Sequence, residues 1–164
     1  MRQGTARSHK PRGFVRLILR LPVWLYRLHL GWILGGRFIM FTHIGRKSGK
    51  PRQTVVEVVR HDQAKGEYVV ASGWGKKSDW FQNVLKTPQV TVDNGRYRRV
   101  ATVSQLPLEQ AAAELADYAR RHPLAYRQLT KMMLGRELSA REVDCRTLAE
   151  VVPVVLFKIQ ATAG

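Results

Sequence analysis

Between Phe38 and Ile159 the sequence carries six short runs rich in β-branched and aromatic residues, bounded by glycine, proline, asparagine or charged residues. Short runs of this kind with brief connections are typical of an antiparallel β protein. The runs are Phe38 to Thr42, Thr54 to Arg60, Tyr68 to Ser72, Val90 to Asp93, Arg96 to Ser104 and Val154 to Ile159. The dipeptide Asn94-Gly95 is the strongest hairpin signal in the chain. Six strands are enough for a small closed or split barrel, which removes exposed edges.

Helical patterns flank these strands. Ser78 or Asp79 caps a helix that runs to Lys86, and Pro107-Leu108 opens another that runs to Arg121. His122-Pro123 ends this second helix, and a third follows from Leu124 to Leu134, closed by Gly135. Residues 136–150 are charged and their structure is left unassigned. The predicted fold class is therefore α+β, a small split β-barrel of about six mostly antiparallel strands flanked by helices.

The loop Gly45 to Arg52 lies between the first two strands and holds four cations, a serine, two glycines and a proline. Glycines let the backbone approach a ligand, and loop amides, a hydroxyl and a guanidinium suit phosphate or carboxylate. The loop therefore reads as an anion clamp. An ordinary hairpin turn with solvated charges is the alternative.

A second loop rich in glycine and lysine, Ser72 to Lys77, follows the third strand and leads into the helix that begins near Ser78. The unpaired amides and the dipole at a helix N-terminus favour an anion. Trp74 and Trp80 lie beside this loop. Two such loops near two tryptophans indicate a ligand with phosphate or acid groups and a flat ring.

Three pieces occur in a specific order and spacing: Gly45 to Arg52, Ala71-Ser72-Gly73-Trp74-Gly75, and Trp80 to Pro88. Together they resemble the deazaflavin-dependent nitroreductase family, small split-β-barrel oxidoreductases that use coenzyme F420. The resemblance covers about Ile39 to Ala101. It implies that reduced F420 gives a hydride to a hydrophobic acceptor such as a quinone, an enone or a nitroaromatic. A related split barrel binds flavin mononucleotide (FMN), whose phosphate needs similar cations, so FMN is the alternative cofactor.

The resemblance also implies a set of cofactor-binding residues. They are Arg46, Lys47, Ser48, Gly49, Arg52, Ser72, Gly73, Trp74, Lys76, Trp80 and Asn83. The cations would bind the phosphate and the acidic tail of F420, with backbone amides near Ser48 and Gly49. The second loop would line the ring or its polyol arm, held from behind by Trp80 and Asn83. A solvated Lys76 and a Trp80 that only packs are the alternatives.

The catalytic residues are less well indicated. Well-understood members of the family carry tyrosines on the substrate side of the ring, including one on the strand after the basic loop, where this chain has Val55, Val56 and Glu57. Glu57, Tyr118 and Tyr126 are the weak candidates for a proton donor or acceptor contact. A solvent-facing Glu57 and core-packed tyrosines are the alternatives, so the acceptor contact stays unassigned.

Residues 1–36 form a predicted basic tail and amphipathic helix ahead of a cofactor-binding domain at 37–164. Phe14 to Leu34 is apolar but contains Arg16, Arg20 and Arg27, which excludes a secretory signal core and argues against a spanning helix. Leucines and tryptophans beside arginines on one face favour attachment to an anionic membrane surface. The expected location is the cytoplasm, at the inner face of the membrane. A helix packed over one end of the barrel is the alternative.

The chain has 28 Lys and Arg against 12 Asp and Glu, a net charge of +16, which indicates an acidic partner. A non-catalytic binder of nucleic acid is a rival interpretation, but no recognition helix or aromatic RNA motif appears. A structural membrane-surface protein would leave the two ligand loops unexplained. The single Cys145 excludes an internal disulfide, and the scattered histidines have no metal-binding spacing. The oligomeric state is not indicated.

Overall fold

The computed structural model describes residues 36–161 and has six antiparallel strands in a closed barrel, with the order β1-β2-β3-β6-β5-β4. The strands are β1 Phe38–Ile44, β2 Pro51–Asp62, β3 Glu67–Ala71, β4 Gln89–Asp93, β5 Arg98–Gln105 and β6 Val154–Ile159. Each consecutive pair from β1 to β3, and the pair β4-β5, is joined by a short connection, as the turn signals predict. The predicted α+β split barrel is confirmed.

In the described range 36–161, four helices and one short 3-10 turn surround the barrel. The turn is Gly75–Lys77, and the helices are α1 Asp79–Lys86, α2 Leu108–Arg121, α3 Pro123–Leu134 and α4 Glu142–Val151. Ser78 is the N-cap of α1, with its hydroxyl accepting from the amide of Phe81. Gly135 closes α3 with a left-handed backbone.

The hydrophobic residues form two layers, because alternate residues of a strand face opposite sides of a sheet. Tyr68 and Val70 point into the barrel, where α1 closes one end with Trp80 and Phe81. Val69, between them, points outward and packs with the helices α2, α3 and α4. Burial of both faces explains why β3 is a continuous apolar run rather than an alternating one.

Several predicted boundaries differ from the structure. β2 begins at Pro51 rather than Thr54, because pairing with β1 continues to the contact between Pro51 and Ile44. β5 begins at Arg98 rather than Arg96, since residues 94–97 form the turn. The unassigned segment 136–150 contains most of α4, which the sequence did not indicate clearly because its buried positions include Cys145 and Ala149.

The predicted N-terminal tail and amphipathic helix lie outside the described residues. The same holds for the proposed membrane segment Phe14 to Leu34. Over the described range 36–161, no helix is long and apolar enough to cross a membrane.

Candidate functional site

A groove of about 390 Å³ lies between the barrel and the helix layer. Its first wall is β2 from Thr54 to Val59, and its second wall is α3 with Ala125, Gln128, Leu129 and Met132. Ala71, Gly73 and Trp74 close one side, and Trp80 and Tyr118 also line the groove. The lining is largely apolar with a few polar groups, which is the composition of a typical ligand site.

The groove exists because β2 is longer than its partner on that side. β2 pairs with β1 from Pro51 to Glu57, but its pairing with β3 begins only at Val58. Within residues 36–161, the edge of β2 from Thr54 to Glu57 therefore has no strand beside it. Such an edge presents backbone N–H and C=O groups that a ligand can bond.

The basic loop 45–50 is a closed turn at the end of the groove where β2 begins. Gly45 N donates to Lys50 O at 2.9 Å, and Gly49 N donates to Gly45 O at 2.8 Å. Gly49 has a φ of +65°, which favours glycine, while the Ser48 hydroxyl accepts from Lys50 N at 3.3 Å. The amide of Gly49 and the hydroxyl of Ser48 thus already have partners within the loop.

Arg46 points inward, unlike the other cations of this loop. Its guanidinium donates to the Asp79 carboxylate at 3.2 Å and to Asn83 Oδ1 at 3.1 Å. Its backbone amide also donates to Asn83 Oδ1, at 2.9 Å. Arg46 therefore ties the loop to α1.

Three cations of the loop point outward instead. The side chains of Lys47, Lys50 and Arg52 are exposed and form no ion pair with any described residue. They leave positive charge at the end of the groove that nothing in the described part of the chain neutralises.

The second loop is held by its own serines. Ser72 is fully buried, and its hydroxyl lies 2.9 Å from Gly75 O and 3.0 Å from the Ser78 hydroxyl. Gly73 and Trp74 line the groove, with the Trp74 side chain 53% exposed at its rim. Lys76 lies instead at a separate cavity of about 240 Å³ beside α2 and α4.

Asn83 holds the basic loop rather than the second loop, which differs from the sequence-based expectation. Its Oδ1 accepts from Arg46, and its Nδ2 lies 3.1 Å from His43 Nδ1. His43 Nε2 in turn lies 3.1 Å from the Thr54 hydroxyl. Burial and the charge of Arg52 lower the pKa of His43 to about 4, so the imidazole is neutral near pH 7.

Trp80 combines the two roles considered for it. It is 7% exposed and packs edge-on against Phe41 at 5.5 Å between ring centroids and against Phe81 at 6.1 Å. It also contributes to the groove surface. A large aromatic side chain held on two sides gives the groove a rigid floor.

Glu57 and Tyr118 meet at the groove. The Tyr118 hydroxyl donates to Glu57 Oε1 at 3.0 Å, and Arg37 pairs with the same carboxylate at 2.8 Å. Burial and the neighbouring Glu57 raise the pKa of Tyr118 to about 12, so the phenol keeps its proton. Tyr126 is buried in the helix layer, where its hydroxyl lies 3.4 Å from Cys145 Sγ, and it does not line the groove.

Three residues that the structure brings to the site were not assigned to it from the sequence, namely Arg37, His43 and Thr54. Arg37 precedes β1 and bonds to Glu57. The two residues are 20 positions apart, and that spacing gives no signal of their contact. His43 lies on β1 and Thr54 lies on β2, and only the register of the two strands shows that they are in contact. The one available signal was that Phe41 and His43 are two residues apart, since this spacing in a strand predicts that both side chains lie on the same face of the sheet.

The metal-binding possibility is not supported within the described part of the chain. Residues 36–161 contain no group of three or more His, Cys, Asp or Glu side chains arranged to hold a metal ion.

Solved structures with the same fold were compared with this chain. An F420-H2 dependent reductase is 21% identical, with a TM-score of 0.52, and the match covers 74% of this chain and 94% of that one. A pyridoxamine 5'-phosphate oxidase-related FMN-binding protein from Nostoc punctiforme is 10% identical, with a TM-score of 0.56, and the match covers 85% of this chain and 80% of that one. At these identities the likeness shows the fold alone, a split β-barrel.

The model of the F420H(2)-dependent quinone reductase family matches residues 18–141 of the 164. The match spans more than half of the chain. The chain therefore belongs to the F420H(2)-dependent quinone reductase family. It is an oxidoreductase, and its cofactor is coenzyme F420.

The groove and the loop fit this cofactor. F420 has a flat tricyclic ring and carries a phosphate and an acidic tail, and it needs an apolar slot that leads to cations. The groove offers such a slot beside Trp74 and Trp80, and Arg52, one of the outward cations of the basic loop, is two residues from the first wall residue, Thr54.

Proposed function

We propose that the groove holds the ring of F420 along the unpaired edge of β2, and that the chain reduces a hydrophobic acceptor such as a quinone, an enone or a nitroaromatic. The observation that carries this proposal is the stretch of β2 from Thr54 to Glu57, which has no strand beside it within residues 36–161 and lies next to three loop cations that no described residue neutralises. Backbone groups of that edge would bond the polar edge of the ring, and Trp80 would form the floor beneath it.

In this arrangement Lys47 and Arg52 bind the phosphate and the acidic tail. Their side chains are exposed and have no ion partner among residues 36–161, so binding an anion breaks no existing contact. Arg46, which is bonded to Asp79 and Asn83, shapes the loop from within. Lys76 lies beside the other cavity and would meet only a tail that extends past the second loop.

When bound and reduced, F420 supplies a hydride from its ring carbon. The chain's part is to exclude water and to orient the acceptor against the ring. Leu129 and Met132 on α3 form the apolar wall that a hydrophobic acceptor would contact. Tyr118 holds its proton toward Glu57, and Arg37 balances the carboxylate, so this trio offers polar contacts without an unpaired charge.

The test is a fluorescence titration of the full chain with oxidised F420 and, in parallel, with FMN. The proposal expects F420 to bind and FMN to bind much more weakly, because only F420 carries the acidic tail. Preference for FMN would contradict the assignment of the basic loop to the tail.

Replacing Lys47 and Arg52 together by alanine should weaken F420 binding about tenfold at low ionic strength and less at high salt, because exposed ion pairs are screened. The matched control is Arg98→Ala with Lys158→Ala, two exposed cations on β5 and β6 that do not line the groove. Equal losses in the two double variants would show a general charge effect and remove the loop from the site.

The sequence-based proposal of attachment to an anionic membrane surface through Phe14 to Leu34 stands beside this one. It rests on the arginines and apolar residues of a segment outside the described residues. A hydrophobic acceptor dissolved in a membrane would give such attachment a purpose.

A further inference from the structure

A series of hydrogen bonds runs from the basic loop to the groove, and the residue at one end fixes which atom of each bond is the donor. The amide and the guanidinium of Arg46 can only donate, so Asn83 must turn its Oδ1 toward them, at 2.9 and 3.1 Å. The Asn83 Nδ2, which can only donate, then faces His43 Nδ1 at 3.1 Å. His43 Nδ1 is therefore an acceptor and carries no proton.

The neutral imidazole has one proton, so it must be on Nε2. His43 is 3% exposed, and burial with the nearby Arg52 keeps it neutral well below pH 7. Nε2 lies 3.1 Å from the Thr54 Oγ1 and donates to it. The Thr54 oxygen thus accepts from within the protein, and its own proton is left for another partner.

Thr54 is the residue at which this series of hydrogen bonds reaches the groove. It pairs with Phe41 in the β1-β2 register, so the two side chains share a face with His43, which is two residues beyond Phe41. Thr54 also lines the groove, as Trp80 does. Among the described residues, His43 is the one hydrogen-bond partner of this hydroxyl.

We propose that Thr54 is a dedicated hydrogen-bond donor to an acceptor atom of the bound deazaflavin ring, and that Arg46, Asn83 and His43 are positioning residues that fix its direction. The inference rests on the proposed place of the cofactor. A ring carbonyl oxygen is the class of atom that such a donor suits. The same series of hydrogen bonds links the basic loop, which binds the tail, to the direction of the hydrogen bond that Thr54 makes with the ring.

The first test is made without any ligand. Nitrogen-15 chemical shifts of the imidazoles, with His43 assigned by comparison with His43→Gln, report which nitrogen is protonated. We expect an unprotonated Nδ1 and a protonated Nε2 at pH 7. A proton on Nδ1 would make Thr54 the donor to His43 Nε2 and would overturn the inference.

The second test compares the affinities of Thr54 variants for oxidised F420. Thr54→Val keeps the shape and removes the donor, so the affinity should fall about 3- to 10-fold, while Thr54→Ser should stay within about twofold of wild type. Thr102→Val is the control, since Thr102 is an exposed strand threonine whose hydroxyl accepts from Gln160 and which does not line the groove.

The outcomes separate this inference from the proposed function. Full affinity in Thr54→Val, with affinity lost in the Lys47 and Arg52 double variant, would overturn the Thr54 contact and leave the cofactor site in place. Equal losses in Thr54→Val and Thr54→Ser would also overturn it, because shape rather than the donor would then decide. A wild-type chain that binds no F420 would overturn the proposed function and this contact together.

Discussion

The cationic side chains of the basic loop have different environments. Arg46 is bonded to Asp79 and Asn83, while Lys47 and Arg52 face solvent. The reason is geometric: Arg46 follows buried Gly45 and faces the first turns of α1, whereas the next residues form the tip of the turn. A cation count therefore overstates how much of this loop is available to an anion, because Arg46 shapes the loop instead.

The buried His43 should make the stability of the fold depend on pH. Its pKa is lowered to about 4 from an ordinary value of 6.5, so between these values the unfolded chain takes up a proton that the folded chain does not. Stability contributed by the neutral ring is therefore present above pH 6.5 and is lost as the pH falls toward 4. The loss at pH 4 is roughly 3 kcal/mol.

Urea unfolding at pH values from 4 to 8 measures this dependence. His43→Gln keeps a donor and an acceptor but does not titrate, so its free energy of unfolding should fall less than that of wild type between pH 7 and pH 4. Parallel curves for the two proteins would show that His43 is not the group responsible, and would point to His61, whose pKa burial also lowers.

At the scale of elements, the segment from Ser72 to Ser78 decides where the groove ends. Its buried serines bond to each other and to Gly75 O, so Trp74 is carried on a turn with fixed ends. Gly75 has a φ of +70° and is packed against α4 at the carbonyl of Val151. The turn, the cap of α1 and the end of α4 are therefore one packed unit.

Gly75→Ala should destabilise the protein more than a positive φ alone explains. A Cβ there would lie 3.1 Å from Val151 O and 3.0 Å from Met133 Cε, and the carbonyl belongs to backbone that cannot move away freely. Gly135→Ala is the matched control, because Gly135 has a φ of +71° with nothing within 4 Å of the added atom.

We expect Gly135→Ala to lower the free energy of unfolding by about 1 to 2 kcal/mol and Gly75→Ala by roughly 1 kcal/mol or more beyond that. Chemical denaturation of the two variants measures the difference. Equal losses would mean that the second loop is not packed against α4 as the structure has it.

At the scale of the whole molecule, the groove lies between two hydrophobic layers that meet along β2. The barrel interior and the helix layer share this strand, since Val58 faces inward and Val59 faces the helices. Within residues 36–161, the half of β2 that extends past β3 has no strand beside it. The net charge of +16 adds a field that attracts an acidic cofactor and an anionic surface alike.

Attachment to an anionic surface is tested with vesicles that contain acidic lipid, by sedimentation at low salt. The wild-type chain should sediment with the vesicles, and replacing Arg16, Arg20 and Arg27 by glutamine should weaken binding about 100-fold, since each charge near the surface contributes about 1 kcal/mol.

The matched control replaces Arg96, Arg98 and Arg99 by glutamine, which removes the same charge from exposed positions on the β4-β5 turn and β5. We expect this triple variant to sediment nearly as well as wild type. If both triple variants lose binding equally, net charge rather than the segment Phe14 to Leu34 is the cause.

The class of fold could be predicted from the sequence, because strand and turn signals are local: a residue such as Asn94 or Gly95 favours its turn whatever surrounds it. It also determined the two loops that carry the family resemblance, since their glycines, cations and tryptophans are adjacent in the chain. α4 was missed because its buried positions include weakly hydrophobic residues and no N-cap side chain marks its start at Arg141.

Which of these residues are in contact depends on strand register and helix packing. The register of β1 on β2 brings His43 to Thr54, and the packing of α1 brings Asn83 to Arg46, contacts across 11 and 37 residues. Tyr118 reaches Glu57 across 61 residues, while Tyr126, eight positions further on, faces Cys145. Strand pairing and helix packing depend on interactions between whole elements, and no local preference in the sequence predicts these contacts.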